Sequence, residues 1–91
     1  MKNAYTLTIT VNRNAAIAQT VATEFLRAVS MKDDTMTALY RETMQGAQTW
    51  ISYKVTTTSD LVMLKKDLHQ VRKSRKEWYD QLKKFTIEAS R

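Results

Sequence analysis

Residues 4–12 read Ala-Tyr-Thr-Leu-Thr-Ile-Thr-Val-Asn, and this stretch constrains the fold more than any other. Tyr5, Leu7, Ile9 and Val11 fall on one side, and Thr6, Thr8 and Thr10 on the other. Strict alternation of β-branched and aromatic residues predicts a strand with one buried face. Such a strand needs neighbours for its backbone and a layer over its apolar side.

Asn12, Arg13 and Asn14 read as a turn, with Asn14 a suitable helix N-cap. From Ala15 the period changes. Ile17, Val21, Phe25 and Ala28 or Val29 recur at steps of three and four, with Ala18 and Ala22 beside them, which predicts an amphipathic helix to about Met31. Lys32, Asp33 and Asp34 break that pattern, and capping explains the two carboxylates more simply than a catalytic pair does. Residues 35–45 admit two readings. As a helix, Asp34 caps it, Met36, Leu39, Tyr40, Thr43 and Met44 share a face, and Gly46 terminates it. As a strand, Met36, Ala38 and Tyr40 alternate with Thr35, Thr37 and Leu39, and Gln45-Gly46 turns a hairpin. The bracketing aspartates and glycine favour the helix. Residues 49–57 return to period 2, with Ile51, Tyr53, Val55 and Thr57 on one face of a second strand.

Ser59 or Thr58 then caps a final helix, with Asp60 in its first turn. From Leu61 to Arg91 there is no Gly or Pro. Apolar residues there fit a heptad: Leu61, Leu68, Arg75, Leu82 and Ala89 at a, and Leu64, Val71, Trp78 and Phe85 at d. That pattern predicts a coiled-coil seam with one polar break at Arg75. The expected fold is therefore α+β, in the order β-α-α-β-α. A two-stranded sheet forms a small core over 1–58, and a long basic helix over 59–91 packs on it and projects, all within one domain. Such a helix would run about 46 Å, against a radius of gyration of about 12 Å for a compact chain of this size. An overhang carrying Trp78, Tyr79, Leu82 and Phe85 would need cover. The expected self-association surface is Leu68, Val71, Arg75, Trp78, Leu82 and Phe85, in a homodimer.

Charge supplies the second expectation. Fifteen Lys and Arg against nine Asp and Glu give a net charge of +6, with a pI near 9.8. Lys65, His69, Arg72, Lys76 and Lys83 form one helical stripe, widened by Lys66, Lys73 and Lys84. A like-charge run is repulsive, and an anionic partner would offset it. The residues expected to bind nucleic acid or an acidic protein surface are Lys65, Lys66, Arg72, Lys73, Lys76 and Lys83. The expected function is thus a non-enzymatic nucleic-acid-binding or regulatory protein. The alternative is a small inhibitor or adaptor of phage or mobile-element type, docking its basic, aromatic helix on a larger host assembly.

Other chemistries have no visible basis. The single histidine, His69, lacks companions for zinc or a triad. One glycine cannot build a phosphate-cradling loop. Met36, Met44 and Met63 read as core filler. No cofactor, metal or small-molecule substrate is expected. The chain lacks cysteine, a signal-like apolar run and a stretch long enough to span a bilayer, so a soluble cytoplasmic protein without a membrane role is expected.

The first half resembles a ribbon–helix–helix repressor. Leu7-Thr8-Ile9-Thr10-Val11 resembles that family's DNA-reading strand, and Thr37-Ala38-Leu39-Tyr40-Arg41-Glu42-Thr43-Met44 its second helix. The resemblance implies that Thr6, Thr8 and Thr10 would contact base edges. The spacer is several residues longer than the family's, it lacks the usual glycine, and the strand at 49–57 has no counterpart there. The reading from the final helix is preferred for these reasons.

Overall fold

The computed structural model describes residues 2–12, 14–74, 76 and 82–89. Six elements follow one another: β1 (Asn3–Val11), α1 (Ala15–Lys32), β2 (Thr37–Gln45), β3 (Thr49–Thr57), α2 (Leu61–Ser74) and β4 (Leu82–Ala89). The four strands form one antiparallel sheet in the order β2-β3-β1-β4. The order is β-α-β-β-α-β, which corrects the expected β-α-α-β-α.

β1 is central, pairing with β3 along one edge and β4 along the other. Its alternation is realised as read. Tyr5, Leu7, Ile9 and Val11 are buried against the helices, together with Ile51, Tyr53 and Val55 of β3. α1 covers them with Ala18, Val21, Ala22, Phe25, Leu26 and Val29, and α2 with Leu64, Leu68 and Val71. Each Val, Leu, Ile or Phe among them, fully buried, contributes roughly 1.5–3 kcal/mol. Asn14 caps α1 as expected, its Oδ1 accepting from the Ile17 N–H at 3.1 Å.

Two expectations about helices are overturned. Residues 37–45 are an edge strand, and 82–89 are the fourth strand of the sheet. The coiled coil therefore does not exist: residues 82–89 pair with β1 as a strand, and a 46 Å rod would exceed the molecule's longest extent of 37 Å. The ribbon–helix–helix resemblance falls as well. Its second helix is a strand here, and both edges of β1 are occupied within the chain.

A β-bulge explains each misreading. In β2, Tyr40 faces Tyr53 and Glu42 faces Ser52, leaving Arg41 as an extra residue. In β4, Leu82 faces Val11 and Lys84 faces Thr10, leaving Lys83 extra. One inserted residue shifts the facing of all that follow. Inward residues that would be two apart become three apart, as Tyr40 and Thr43 are, and Leu82 and Phe85. Three is also a helical step. Gly46 sits in the β2–β3 hairpin instead of ending a helix, its N–H donating to the Gln48 carbonyl at 2.9 Å. The Trp50 ring packs so close that a Cβ there would lie 3.3 Å from Cζ3.

Asp33 knots one end of the molecule. Its N–H donates to Val29 at the end of α1. Its carboxylate accepts from the Thr35 N–H at 3.1 Å, the Thr35 hydroxyl at 2.6 Å, the Ser59 hydroxyl at 3.0 Å and the Thr57 hydroxyl. The Ser59 carbonyl in turn accepts from Asn3 Nδ2 and Tyr5 Oη, both at 3.1 Å. The starts of β1 and β2 and the ends of α1 and β3 are thereby joined. With Ser59 so engaged, Asp60 is the residue that caps α2, its Oδ1 accepting from the Met63 N–H at 2.8 Å.

Burial pushes the Asp33 carboxyl up, but the hydrogen bonds from Thr35, Thr57 and Ser59 outweigh it and hold the group below its ordinary value. A carboxyl whose folded value is depressed stabilises the fold fully above its unfolded value and less as pH falls through the folded one. Urea denaturation should therefore show stability declining below about pH 4, and Asp33→Asn should flatten that decline. Asp33→Ala, which removes the acceptor shared by the buried Thr57 hydroxyl and the half-buried Thr35 and Ser59 hydroxyls, should lower stability by roughly 1–3 kcal/mol at neutral pH.

Candidate interaction surface

α2 divides its cations between two tasks. Leu64, Leu68 and Val71 point into the core, with Leu61 partly buried beside them. At 100° per residue, Lys65, Lys76, Lys73 and Lys66 occupy an arc of roughly 100° on one flank and the outer face. Asp67 lies on the opposite flank. The lysine flank is the one that meets β4. Arg72 Nη2 donates to the Leu82 carbonyl at 3.0 Å and the Lys83 carbonyl at 2.9 Å. The His69 ring lies 4.9 Å from that of Phe85, which also sits 5.7 Å from Phe25.

Of the six residues expected to meet an anion, Lys65, Lys66, Lys73, Lys76 and Lys83 are exposed. Arg72 is half-buried and spends its guanidinium on β4. Lys84 is exposed as well, but it pairs with Thr10 and so lies on the sheet face away from the helices. The acids among the described residues of α2 and β4 are Asp67 and Glu88. The result is a corner of five exposed lysines anchored by one inward arginine.

The residues expected to form a dimer seam are placed differently. Leu68, Val71 and Leu82 are buried in the chain's own core, and Phe85 is half-buried between Phe25 and His69. Arg75 and Trp78 lie outside the described residues. The exposed apolar seam on which the coiled-coil dimer rested is absent among the described positions, because the sheet consumes it. Met36 is core as expected, but Met44 and Met63 are exposed.

The sheet face away from the helices is only partly exposed, with Thr10 buried and Thr6 and Thr8 half-buried. Thr6, Thr8 and Thr10 line its centre on β1, flanked in register by Trp50, Ser52, Lys54 and Thr56 of β3. The Thr8 and Ser52 hydroxyls meet at 3.4 Å. Beyond β3 lies β2, the least protected strand. Leu39 is 66% exposed, Tyr40 56% and Met44 57%. On the helix side of this edge, a cleft of about 460 Å³ is lined by Leu26, Arg27, Met36, Ala38, Tyr40 and Tyr53 among others. Burial, and then the nearby Tyr40, raise the Tyr53 phenol above its ordinary range. The β2 surface was missed in sequence because a helix was preferred over 35–45. The strand reading of that segment carried the signal.

Antiparallel order β2-β3-β1-β4 with both helices on one face is the split β-α-β arrangement. The fold is ferredoxin-like. Similar solved structures include the de novo designed protein Foldit4, at 11% identity and a TM-score of 0.62, with all of both chains covered. The C-terminal domain of the MgtC protein from Mycobacterium tuberculosis is similar at 12% identity and a TM-score of 0.61, covering 97% of this chain and 87% of that one. A designed protein with a ferredoxin fold, LFR1 1, matches at 16% identity and a TM-score of 0.53, covering 99% and 83%. At such identities the likeness is one of fold. No family model matches the chain, and no curated protein does. DNA binding and a phage role, expected from sequence, gain no support from these neighbours.

Chemically, the described surface offers charge and apolar contact. Among the described residues no three His, Cys, Asp or Glu side chains gather as metal ligands. No described helix is long and apolar enough to cross a membrane. The position of Arg72 is directly testable. Arg72→Met removes two hydrogen bonds to β4 and should speed amide exchange at residues 82–85 by about tenfold. Lys73→Met, one residue away, should leave it unchanged.

Proposed function

We propose that this chain is a non-enzymatic binding domain whose lysine corner, formed by α2 and the start of β4, docks on an acidic protein surface. One observation carries the reading. Lys65, Lys66, Lys73, Lys76 and Lys83 are all exposed around Arg72, which the fold has turned inward. Holding like charges together on a short helix and the adjoining strand is unfavourable without a counter-charge. Point charges carried on a helix and the adjoining strand suit carboxylates on a folded partner. We place this activity in the cytoplasm as part of the same reading.

Anisotropy titrations with a labelled poly-glutamate peptide and a labelled single-stranded oligonucleotide would test it. At about 50 mM salt, the acidic peptide should bind in the micromolar range and weaken steadily as salt rises. Lys66→Glu combined with Lys73→Glu should reduce that affinity by more than about tenfold. Peptide binding no tighter than about millimolar would defeat the proposal. Oligonucleotide binding that exceeds the peptide's would reassign the corner to nucleic acid.

A further inference from the structure

The two edges of the sheet are unlike. β4 exposes Lys83 and Lys84 along its edge, and lysines of this kind discourage strand addition. β2 presents nine residues with Leu39, Tyr40 and Met44 exposed, and its charges are confined to Arg41 and Glu42 at the bulge.

From this asymmetry we infer that β2 pairs antiparallel with β2 of a second copy, about a two-fold axis passing between Arg41 and Glu42. The bulge selects that register. Across a two-fold axis normal to the sheet, each residue must oppose one whose side chain points to the same face. In an unbroken strand this forces an axis through a residue. An axis through Arg41 would bring two arginines together.

The extra residue changes the parity. Leu39 and Met44 both lie on the face away from the helices, opposite Lys54 and Trp50 of β3, and Tyr40 and Thr43 both lie on the helix side, opposite Tyr53 and Ile51. Pairing about the 41/42 axis therefore sets Leu39 against the partner's Met44, and Tyr40 against the partner's Thr43. Arg41 falls opposite the partner's Glu42, and the symmetry makes each of these pairs twice. Moving the axis to lie between Tyr40 and Arg41 also satisfies the facing rule, but it sets Leu39 against a glutamate. Charge and apolar complementarity thus select one register. The product is a continuous eight-stranded sheet in which the exposed apolar residues of β2 cover each other. This self-complementary edge is separate from the lysine corner, which lies at the other end of the sheet.

Sedimentation of the full chain tests the inference. At about 50 μM the chain should be mainly dimeric. Arg41→Glu alone and Glu42→Arg alone should each weaken the dimer by about tenfold, and the double swap R41E/E42R should restore it. The chain lacks cysteine, so register can be read by crosslinking. Mixed L39C and M44C chains should form a disulfide under mild oxidation, and L39C alone should not. A wild-type monomer at that concentration overturns the inference. So does a dimer indifferent to the single reversals, or one whose L39C chains crosslink to each other.

Discussion

Burying Tyr5, Leu7, Ile9 and Val11 on one side of β1 obliges the rest of the chain to supply partners. The backbone of β1 needs a strand on each edge, and β3 and β4 provide them. Its apolar side needs a cover, and both helices lie there. This is why residues 82–89 join the sheet. Left as a helix, they would leave one edge of the central strand unpaired and Leu82, Phe85 and Ile87 without a core. As a strand they pair with β1 and place Phe85 between Phe25 and His69.

Polar side chains then fix the ends of this arrangement. Asp33 gathers three hydroxyls and one N–H from the segments before β2 and at or just after the end of β3, and Arg72 holds the carbonyls that begin β4. The Asp33 carboxylate is buried at little cost because it accepts several hydrogen bonds, and the half-buried Arg72 guanidinium meets two carbonyls. Arg72 also separates structure from function in a basic helix. It is the cation the fold uses, and the lysines around it are left to the surface.

The sheet ends in two ways. Lysines guard β4, while β2 leaves apolar side chains and unpaired backbone groups at its edge. The two surfaces can therefore act independently, one through charge and the other through strand pairing. Their separation follows from strand order, which puts β2 and β4 on opposite sides of the molecule.

The sequence by itself determined the elements whose period is uninterrupted. β1, α1, β3, the cap at Asn14 and the inward face of α2 were all legible, because one spacing holds throughout each. The lysines of the corner were also legible, since charge needs no partner to be counted. Tertiary structure alone decided the two edge strands. A bulge at Arg41 and another at Lys83 replace one step of two with a step of three. The resulting Tyr40–Thr43 and Leu82–Phe85 spacings look helical until a neighbouring strand is there to pair with. The same event decided where the apolar residues of the last third go. Leu82 and Phe85 were legible as buried residues, but only the sheet shows that they are buried within their own chain.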